Sequence, residues 1–320
     1  MRVIVVGLGV QGKKRRAVAG LDVVATVDPV NKDADYADVG AVAFDRFDAA
    51  LLCVPDEAKL ELIEPLLLAG KHILVEKPLV VPGGVKALSR LAEFAHRNGA
   101  LLYTAYNHRF EPHFVRMRNL LASGVLGRVY AVRMFYGNGT ARLVRESAWR
   151  DQGTGVLPDL GSHLLDTVRF WLGDTGQAFA LTSANAFENR SFDHIAFGAQ
   201  AKGEAPLVQL EMTLLSWRNH FYADVFAEKG SAHISSLCKW GPSTFTHRSR
   251  VLPSGRPDEE SVTLIEADPT WELEYSHFKA LCESADPAAG GNTGTDIWIH
   301  DTLEGVGRQA LAHTGSQRKS

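Results

Sequence analysis

Hydrophobic positions along the chain follow two different rhythms. Early on, short unbroken apolar runs alternate with amphipathic segments. RVIVV at residues 2–6, DVVATVD at 22–28, DAALLCVP at 48–55, KHILVEKP at 71–78 and ALLYTAYN at 100–107 read as strands buried on both faces. Between them, residues 12–20, EAKLELIEPLLLAG at 57–70 and GVKALSRLAEFAHRNG at 84–99 read as helices, the last two closed by glycine. Strands alternating with helices predict a doubly wound parallel sheet. Residues 29–47 leave room only for a short helix and strand.

After residue 106 the rhythm changes. HFVRMRNLLASG at 113–124 predicts a helix, GRVYAVRMFYG at 127–137 a strand, and 141–157 a loop. An amphipathic helix follows to about Trp171. Then AFALTSANAF, DHIAFGAQ, PLVQLEMTLLSW, HFYADVFAE and SAHISSL follow without intervening helices, the pattern of an antiparallel sheet. Helices near 270–284 and 293–313 close the chain. The expected class is α/β: a Rossmann-type domain over 1–106 and a second domain over 107–320, with the last helix free to pack back on the first domain.

Composition narrows the function classes. The 320 residues are 45% hydrophobic and 22% charged, and 34 basic against 37 acidic residues give a net charge of −3. Nothing in that balance calls for nucleic acid. Cys53, Cys238 and Cys282 are widely spaced, so neither a disulfide framework nor a cysteine zinc site is expected, and a cytoplasmic setting fits. The histidines show no metal-ligand spacing, so no metal is expected. The apolar start is too short for a membrane span, and no later run reaches the ~20 apolar residues a span requires.

Two motifs carry candidate chemistry. Gly7, Gly9 and Gly12 form GxGxxG between a strand and a helix, with Val10 and Gln11 inside the loop. The spacing allows a tight turn, close approach of a pyrophosphate and helix–strand packing. Asp28 ends the second strand, where a carboxylate can accept the adenosine ribose hydroxyls and repel a 2′-phosphate. NAD is therefore the expected cofactor. KKRR at 13–16 leaves NADP open, since it reads either as help with phosphates or as a solvated basic turn. The second motif is PDLGSHLLDTVRF at 158–170. Leu160, Leu164, Val168 and Trp171 form an apolar stripe, and Asp159, His163 and Asp166 line up beside it. One acid can orient the imidazole while the other holds a substrate hydroxyl. Gly161 costs about 1 kcal/mol against alanine in a helix, and the expected return is room for a ring or sugar at the backbone. Alone, the segment equally describes a satisfied interior histidine behind a capping aspartate.

GxGxxG at the start, AGKHILVEKPL, NHRFEPHF and DLGSHLLD, in this order, resemble the Gfo/Idh/MocA family of glucose–fructose oxidoreductase, inositol dehydrogenase and rhizopine-catabolism relatives. The resemblance implies a Rossmann domain followed by an α/β domain with a large open, mostly antiparallel sheet, and a homodimer or homotetramer formed through that sheet. It implies an NAD(P)-dependent oxidoreductase acting on a hydroxyl-bearing carbon of a sugar, cyclitol or sugar derivative. By position, Lys77 is similar to the family lysine, and Asp159 and His163 to its second-domain catalytic pair. Cys53, Val54 and Pro55 resemble the loop under the cofactor, and Glu76 a cofactor-side contact. In the implied scheme His163 accepts the hydroxyl proton as hydride leaves for nicotinamide, and Lys77 stabilises the oxygen, or the two exchange roles. The chain departs from the pattern at Lys59, where the family often has histidine, and in the shortened segment after Asp28. Asn107, Arg109, Trp149 and Arg150 are the substrate-side candidates. With Arg133, Arg142 and Arg145 they point to an acidic or nucleotide-linked sugar, or to ordinary surface arginines. Two alternatives stand beside the dehydrogenase: an enzyme that uses bound NAD transiently for elimination, hydrolysis or epimerisation, and an inactive NAD-sensing regulator.

Overall fold

Val3–Val6 form the first strand, β1, and none of the four is more than 3% exposed. Successive side chains of a strand point to opposite faces, so full burial demands cover on both sides. Ile4 and Val6 pack with Ile63 and Leu67 of helix α2 (Asp56–Leu68) and Leu88 and Leu91 of helix α3 (Gly84–Arg97). Val3 and Val5 pack instead with Leu74, Tyr103 and Phe278. The computed structural model describes residues 1–147 and 150–317, and the chain divides into two compact units. One comprises Met1–Asn107 with Pro269–His300, and the other His108–Asp268 with the chain from Asp301 onward.

In the first unit β1, β2 (Val23–Val27), β3 (Ala49–Leu52), β4 (His72–Glu76) and β5 (Leu102–Ala105) form one parallel sheet in the order β2-β1-β3-β4-β5. The strand order reverses between β1 and β3, whose last residues Val6 and Leu52 pair. In sheets of this kind ligands bind beyond the carboxyl ends at such a switch point. Helix α1 (Val10–Ala19) leaves β1 there. Residues 29–47 hold only 3₁₀ turns at Val39–Ala41 and Phe44–Arg46 and a bridge from Tyr36 to Val27.

The second unit carries an eight-stranded sheet in the order β13-β12-β11-β10-β6-β9-β8-β7. Its strands are β6 (Val129–Gly137), β7 (Ala180–Asn185), β8 (His194–Ala199), β9 (Leu207–Thr213), β10 (His220–Ala227), β11 (Gly230–Ser235), β12 (Ser243–Ser249) and β13 (Asp258–Leu264). Only the β6–β9 pair is parallel among its ladders. Burial alternates along β8 and β10, so one face is covered and the other open. The covered face receives α4 (Pro112–Ala122) and α6 (Ser162–Leu172). They are joined by Trp171, whose Nε1 donates to the Phe114 carbonyl at 3.1 Å. A short helix, α5 (Ala141–Arg145), replaces part of the loop expected at 141–157. The strands β12 and β13 were not foreseen. The chain closes with α7 (Thr270–Cys282) and α8 (Thr293–Gln317). No helix among the described residues is long and apolar enough to cross a membrane.

Lys13, Lys14 and Arg16 of the basic run KKRR are exposed, as a solvated turn would have them, but Arg15 departs from both readings. Arg15 is 1% exposed, neither solvated nor held out for a phosphate. Its Nε donates to Glu76 Oε1 at 2.7 Å and its Nη2 to Glu274 Oε2 at 2.6 Å, while Trp271 stacks 4.3 Å from Cζ. One guanidinium thereby ties α1, the end of β4 and α7. Glu274 is 0% exposed, so losing the cation would strand a buried carboxylate. Arg15→Met is expected to destabilise the protein by about 3–5 kcal/mol, read as a lowered urea midpoint. The double change Arg15→Met/Glu274→Leu should recover part of that loss. An unchanged midpoint in the single variant would show that the pair contributes nothing.

Candidate active site

The glycine loop is shaped by contacts that admit no side chain at two of its three glycines. Gly7 has φ +86°, and a Cβ there would lie 2.4 Å from the Cys53 carbonyl oxygen. A Cβ on Gly12 would lie 1.7 Å from the Gly7 oxygen. These contacts press the loop onto the end of β3 and bring Cys53, Val54 and Pro55 beside it. Around Gly9, by contrast, nothing comes within 4 Å of an added Cβ. The backbone is thus open where a pyrophosphate needs to approach, at the N-terminus of a helix with no acidic residue in its first turn. Val10 and Gln11 are both exposed there. The cradle fits a dinucleotide.

Asp28 serves that loop directly. Its Oδ2 accepts the Leu8 N–H at 2.7 Å, and its Oδ1 accepts those of Val30 at 2.9 Å and Asn31 at 2.8 Å. Backbone donors, Leu8 first, hold this carboxyl below the usual range and therefore ionised. The Asp28 charge stands beside the loop, and much of its hydrogen-bonding capacity is already spent on shaping it.

Lys77 follows β4 in a turn whose Lys77–Pro78 peptide is cis. The turn is clamped from within by Lys59. The Lys59 ammonium donates to the Glu76 carbonyl at 2.7 Å and the Pro78 carbonyl at 2.5 Å, and pairs with Asp56 Oδ1 at 2.6 Å. Burial pushes the Lys59 amine down, and Asp56 opposes that shift. Both carbonyls that bracket Lys77 are thus fixed by one buried cation. Glu76, expected on the cofactor side, spends Oε1 on Arg15. Asn107, a substrate-side candidate, donates its amide to Thr270 Oγ1 at 2.8 Å.

In the second unit, a π-helical turn at Leu157–Gly161 leads into α6 and carries Asp159, with His163 one turn on. Such turns recur at functional sites. His163 is 7% exposed. Its ring stacks on His108, with centroids 4.0 Å apart and planes 17° apart, and Tyr136 of β6 lies 6.0 Å away. His108 Nε2 is 3.3 Å from Lys239 Nζ, which also donates to the Tyr136 hydroxyl at 3.2 Å. Trp240 flanks Lys239 and Tyr136 at 5.0 and 5.7 Å. Burial pushes the Lys239 amine down, opposed by Glu111, Asp268, Cys238 and Asp159 in that order. The cluster joins an imidazole pair, a phenol, an ammonium and a nearby carboxylate, the groups from which proton transfer to or from an alcohol is built.

Several expectations change here. Asp166 does not orient the imidazole: it holds Arg109, which donates from Nε at 2.9 and 3.0 Å and from Nη2 at 2.5 Å. Gly161 opens no path to a ligand. A Cβ there would meet Leu157, Met212 and Leu303 at 3.2–3.4 Å, so its smallness serves packing of the helix on the sheet. Two of the four loop-side arginines are engaged away from a common site. Arg142 pairs with Glu146 on the surface. Arg133 lies over Phe226 on the open face, opposite in the strand's alternation to Tyr136. Arg150 is half-buried, and Trp149 lies outside the described residues. His108, Tyr136, Lys239 and Trp240 escaped sequence reasoning. Only His108 had a signal, its place in NHRF. Among the described residues no cluster of His, Cys, Asp or Glu could hold a metal.

Comparison with known proteins agrees with these two units. An oxidoreductase-family model described as an NAD-binding Rossmann fold matches residues 1–106, and the GFO/IDH/MocA C-terminal domain matches 114–233. The myo-inositol dehydrogenase Hyg17 of Streptomyces leeuwenhoekii is 36% identical over 138 residues, covering 43% of this chain and 41% of that protein. Inositol 2-dehydrogenase of Rhizobium meliloti is 27% identical over 161 residues, covering 50% and 44%. These alignments span less than half the length of either relative. A solved inositol dehydrogenase homologue from Azotobacter vinelandii, complexed with NADH and myo-inositol, shares the fold with a TM-score of 0.79 at 17% identity, covering 98% of this chain and 96% of that one. With both domains of one family matched in order along the sequence, the chain belongs to the GFO/IDH/MocA oxidoreductases, and its first domain is their NAD-binding Rossmann fold.

Proposed function

We propose that the protein is an NAD-dependent dehydrogenase that moves hydride between nicotinamide and a hydroxyl-bearing carbon of a neutral sugar or cyclitol. The observation that carries this reading is the imidazole of His163. It is almost buried, stacked on a second ring and set one helical turn from Asp159, in a chain that also presents an open glycine cradle. When bound, the nicotinamide accepts or returns the hydride. The protein's own residues handle the proton. His163 takes it from the substrate hydroxyl as the carbon is oxidised, Lys77 stabilises the oxygen, and reduction reverses these steps. Lys59 supports that role by fixing both carbonyls beside Lys77.

The engagement of three of the arginines supports a neutral substrate. Arg109 is paired with Asp166, Arg142 with Glu146, and Arg133 lies on the open face. An acidic or nucleotide-linked sugar is thereby disfavoured, and the relatives named for inositol favour a polyol. The charge of Asp28 beside the glycine loop favours NAD over NADP. The open sheet face carries Tyr222 stacked on Phe135 at 5.4 Å and 4°, with Phe226 exposed at 38%. Such a patch supports a homo-oligomer formed through this face. The free thiols of Cys53, Cys238 and Cys282 favour a reducing cytoplasm.

A screen of cyclitols, neutral sugars, uronates and nucleotide-sugars by NADH absorbance tests the reading. Turnover of neutral polyols with net NADH is expected, and a product at the substrate's oxidation level without NADH would favour transient redox chemistry instead. Lys77→Ala and His163→Ala should each lower kcat at least about 100-fold, with NAD affinity kept in His163→Ala, and near-native turnover would remove that residue from the mechanism. Asp28→Asn keeps an acceptor for Leu8 but removes the charge. The NAD over NADP preference in kcat/KM should fall about tenfold or more, and an unchanged ratio would remove Asp28 as the discriminator. Tyr222→Glu should shift the particle toward monomer by light scattering, and an unchanged mass would place the interface elsewhere.

A further inference from the structure

Lys239 has no part in the chemistry proposed above, yet it sits against it. Its turn, Cys238–Trp240, leads from β11 toward β12, and its ammonium reaches His108 Nε2 at 3.3 Å and the Tyr136 hydroxyl at 3.2 Å. An ammonium has three donors and no acceptor. The His108 nitrogen that faces it must therefore offer a lone pair, which places the ring proton on Nδ1. A second proton on Nε2 would set two donors against each other and two positive charges within hydrogen-bond distance. One face of His108 is covered by His163 at 4.0 Å and 17°, Tyr136 lies tilted at 5.5 Å, and Phe114 meets the ring in a T-shaped contact at 5.7 Å. Rings stacked this closely cannot both be cationic without strong mutual repulsion.

We infer that Lys239 is a positioning residue: by donating to His108 Nε2 it keeps His108 neutral in the Nδ1–H tautomer and leaves His163 as the one imidazole of the stacked pair that takes up a proton. The other groups facing this cluster fit that arrangement. Glu111, Asp268 and Asp159 lie around Lys239 and oppose the lowering that burial imposes on its amine. Glu111 is itself pinned, accepting the Cys238 N–H at 3.1 Å, so the turn that carries Lys239 is held at its start. Tyr136 receives a Lys239 donor on its oxygen, so its proton points elsewhere. A proton arriving at the cluster from a substrate hydroxyl then has one destination among the rings, His163, and a neutral aromatic platform on which the resulting imidazolium rests. The value of His163 as the base rests on the dehydrogenase reading, whereas the Lys239–His108 wiring does not.

Nitrogen-15 spectra of the histidine side chains in the full chain, with the His108 and His163 signals assigned by His108→Asn and His163→Asn, test the inference without turnover. His108 is expected to stay neutral, with its proton on Nδ1, through the pH range in which His163 titrates. In Lys239→Met the His108 ring should titrate with its midpoint raised by about one unit or more, and Lys239→Arg should restore the wild-type pattern. If turnover is found, the acid limb of kcat/KM should move to higher pH in Lys239→Met and return in Lys239→Arg. Ordinary titration of His108 in the wild-type chain, or its proton on Nε2, would overturn the inference whether or not any substrate is turned over. A wild-type His108 that stays neutral while no alcohol is oxidised would leave the wiring standing and fail only the dehydrogenase reading.

Discussion

One buried guanidinium sets the frame on which the first unit's chemistry rests. Arg15 reaches from the helix that starts at the glycine loop to the carboxylate that precedes Lys77, and on to Glu274 of α7. A charge 1% exposed is tolerable only because two carboxylates answer it, and Glu274 at 0% exposure is tolerable only because of the guanidinium. The pair is mutually obligatory. It ties the angle of α1, and with it the direction of the free N–H groups around Gly9, to the end of β4, where the chain turns at Lys77. The cofactor cradle and the candidate amine are therefore coupled through a single side chain.

The second unit repeats the device with different atoms. There Arg109 answers the buried Asp166 on α6, and Lys239 answers the carboxylates around it while touching His108. In both units cations committed to fixed acceptors hold the segments that bear the candidate catalytic groups, and the groups themselves sit one residue or one ring away. This division matters physically. A cation committed to fixed acceptors loses its freedom to move toward a ligand, but it fixes the geometry of its neighbours before any ligand arrives, which is where positioning contributes to rate.

Much of the fold was legible because burial follows simple periods. Strands covered on both faces read as unbroken apolar runs, and those covered on one face read as alternation, so β1 to β11 stood out. STFTHRS and DEESVTL did not, because β12 and β13 are the last two strands at one end of the sheet and carry mostly polar side chains, with β13 mostly exposed. Helix α5 has only five residues, too few to show a period. The glycine loop, Asp28, Lys77, Asp159 and His163 were readable because each lies in a local pattern. Lys239 was not: it lies 131 residues from His108, and only the closing of the β10–β11–β12 ladder brings it there. Arg15, within the basic run, misled for a related reason. Sequence shows that Arg15 is charged, but only packing shows that it is buried.

Lys59 shows how far a departure from the family pattern can be understood from geometry. The resemblance places a histidine often at this position. An imidazole offers two ring nitrogens held in one plane, and when neutral only one of them donates. The site presents three acceptors: the carbonyls of Glu76 and Pro78 and the carboxylate of Asp56. A lysine ammonium has three donors on a flexible stem and can satisfy all of them at once. Its cost is the burial of a charge at 1% exposure, which Asp56 offsets from the more exposed side of the same helix. The exchange trades a planar ring for a flexible cation, and the turn that presents Lys77 gains three charge-assisted anchors.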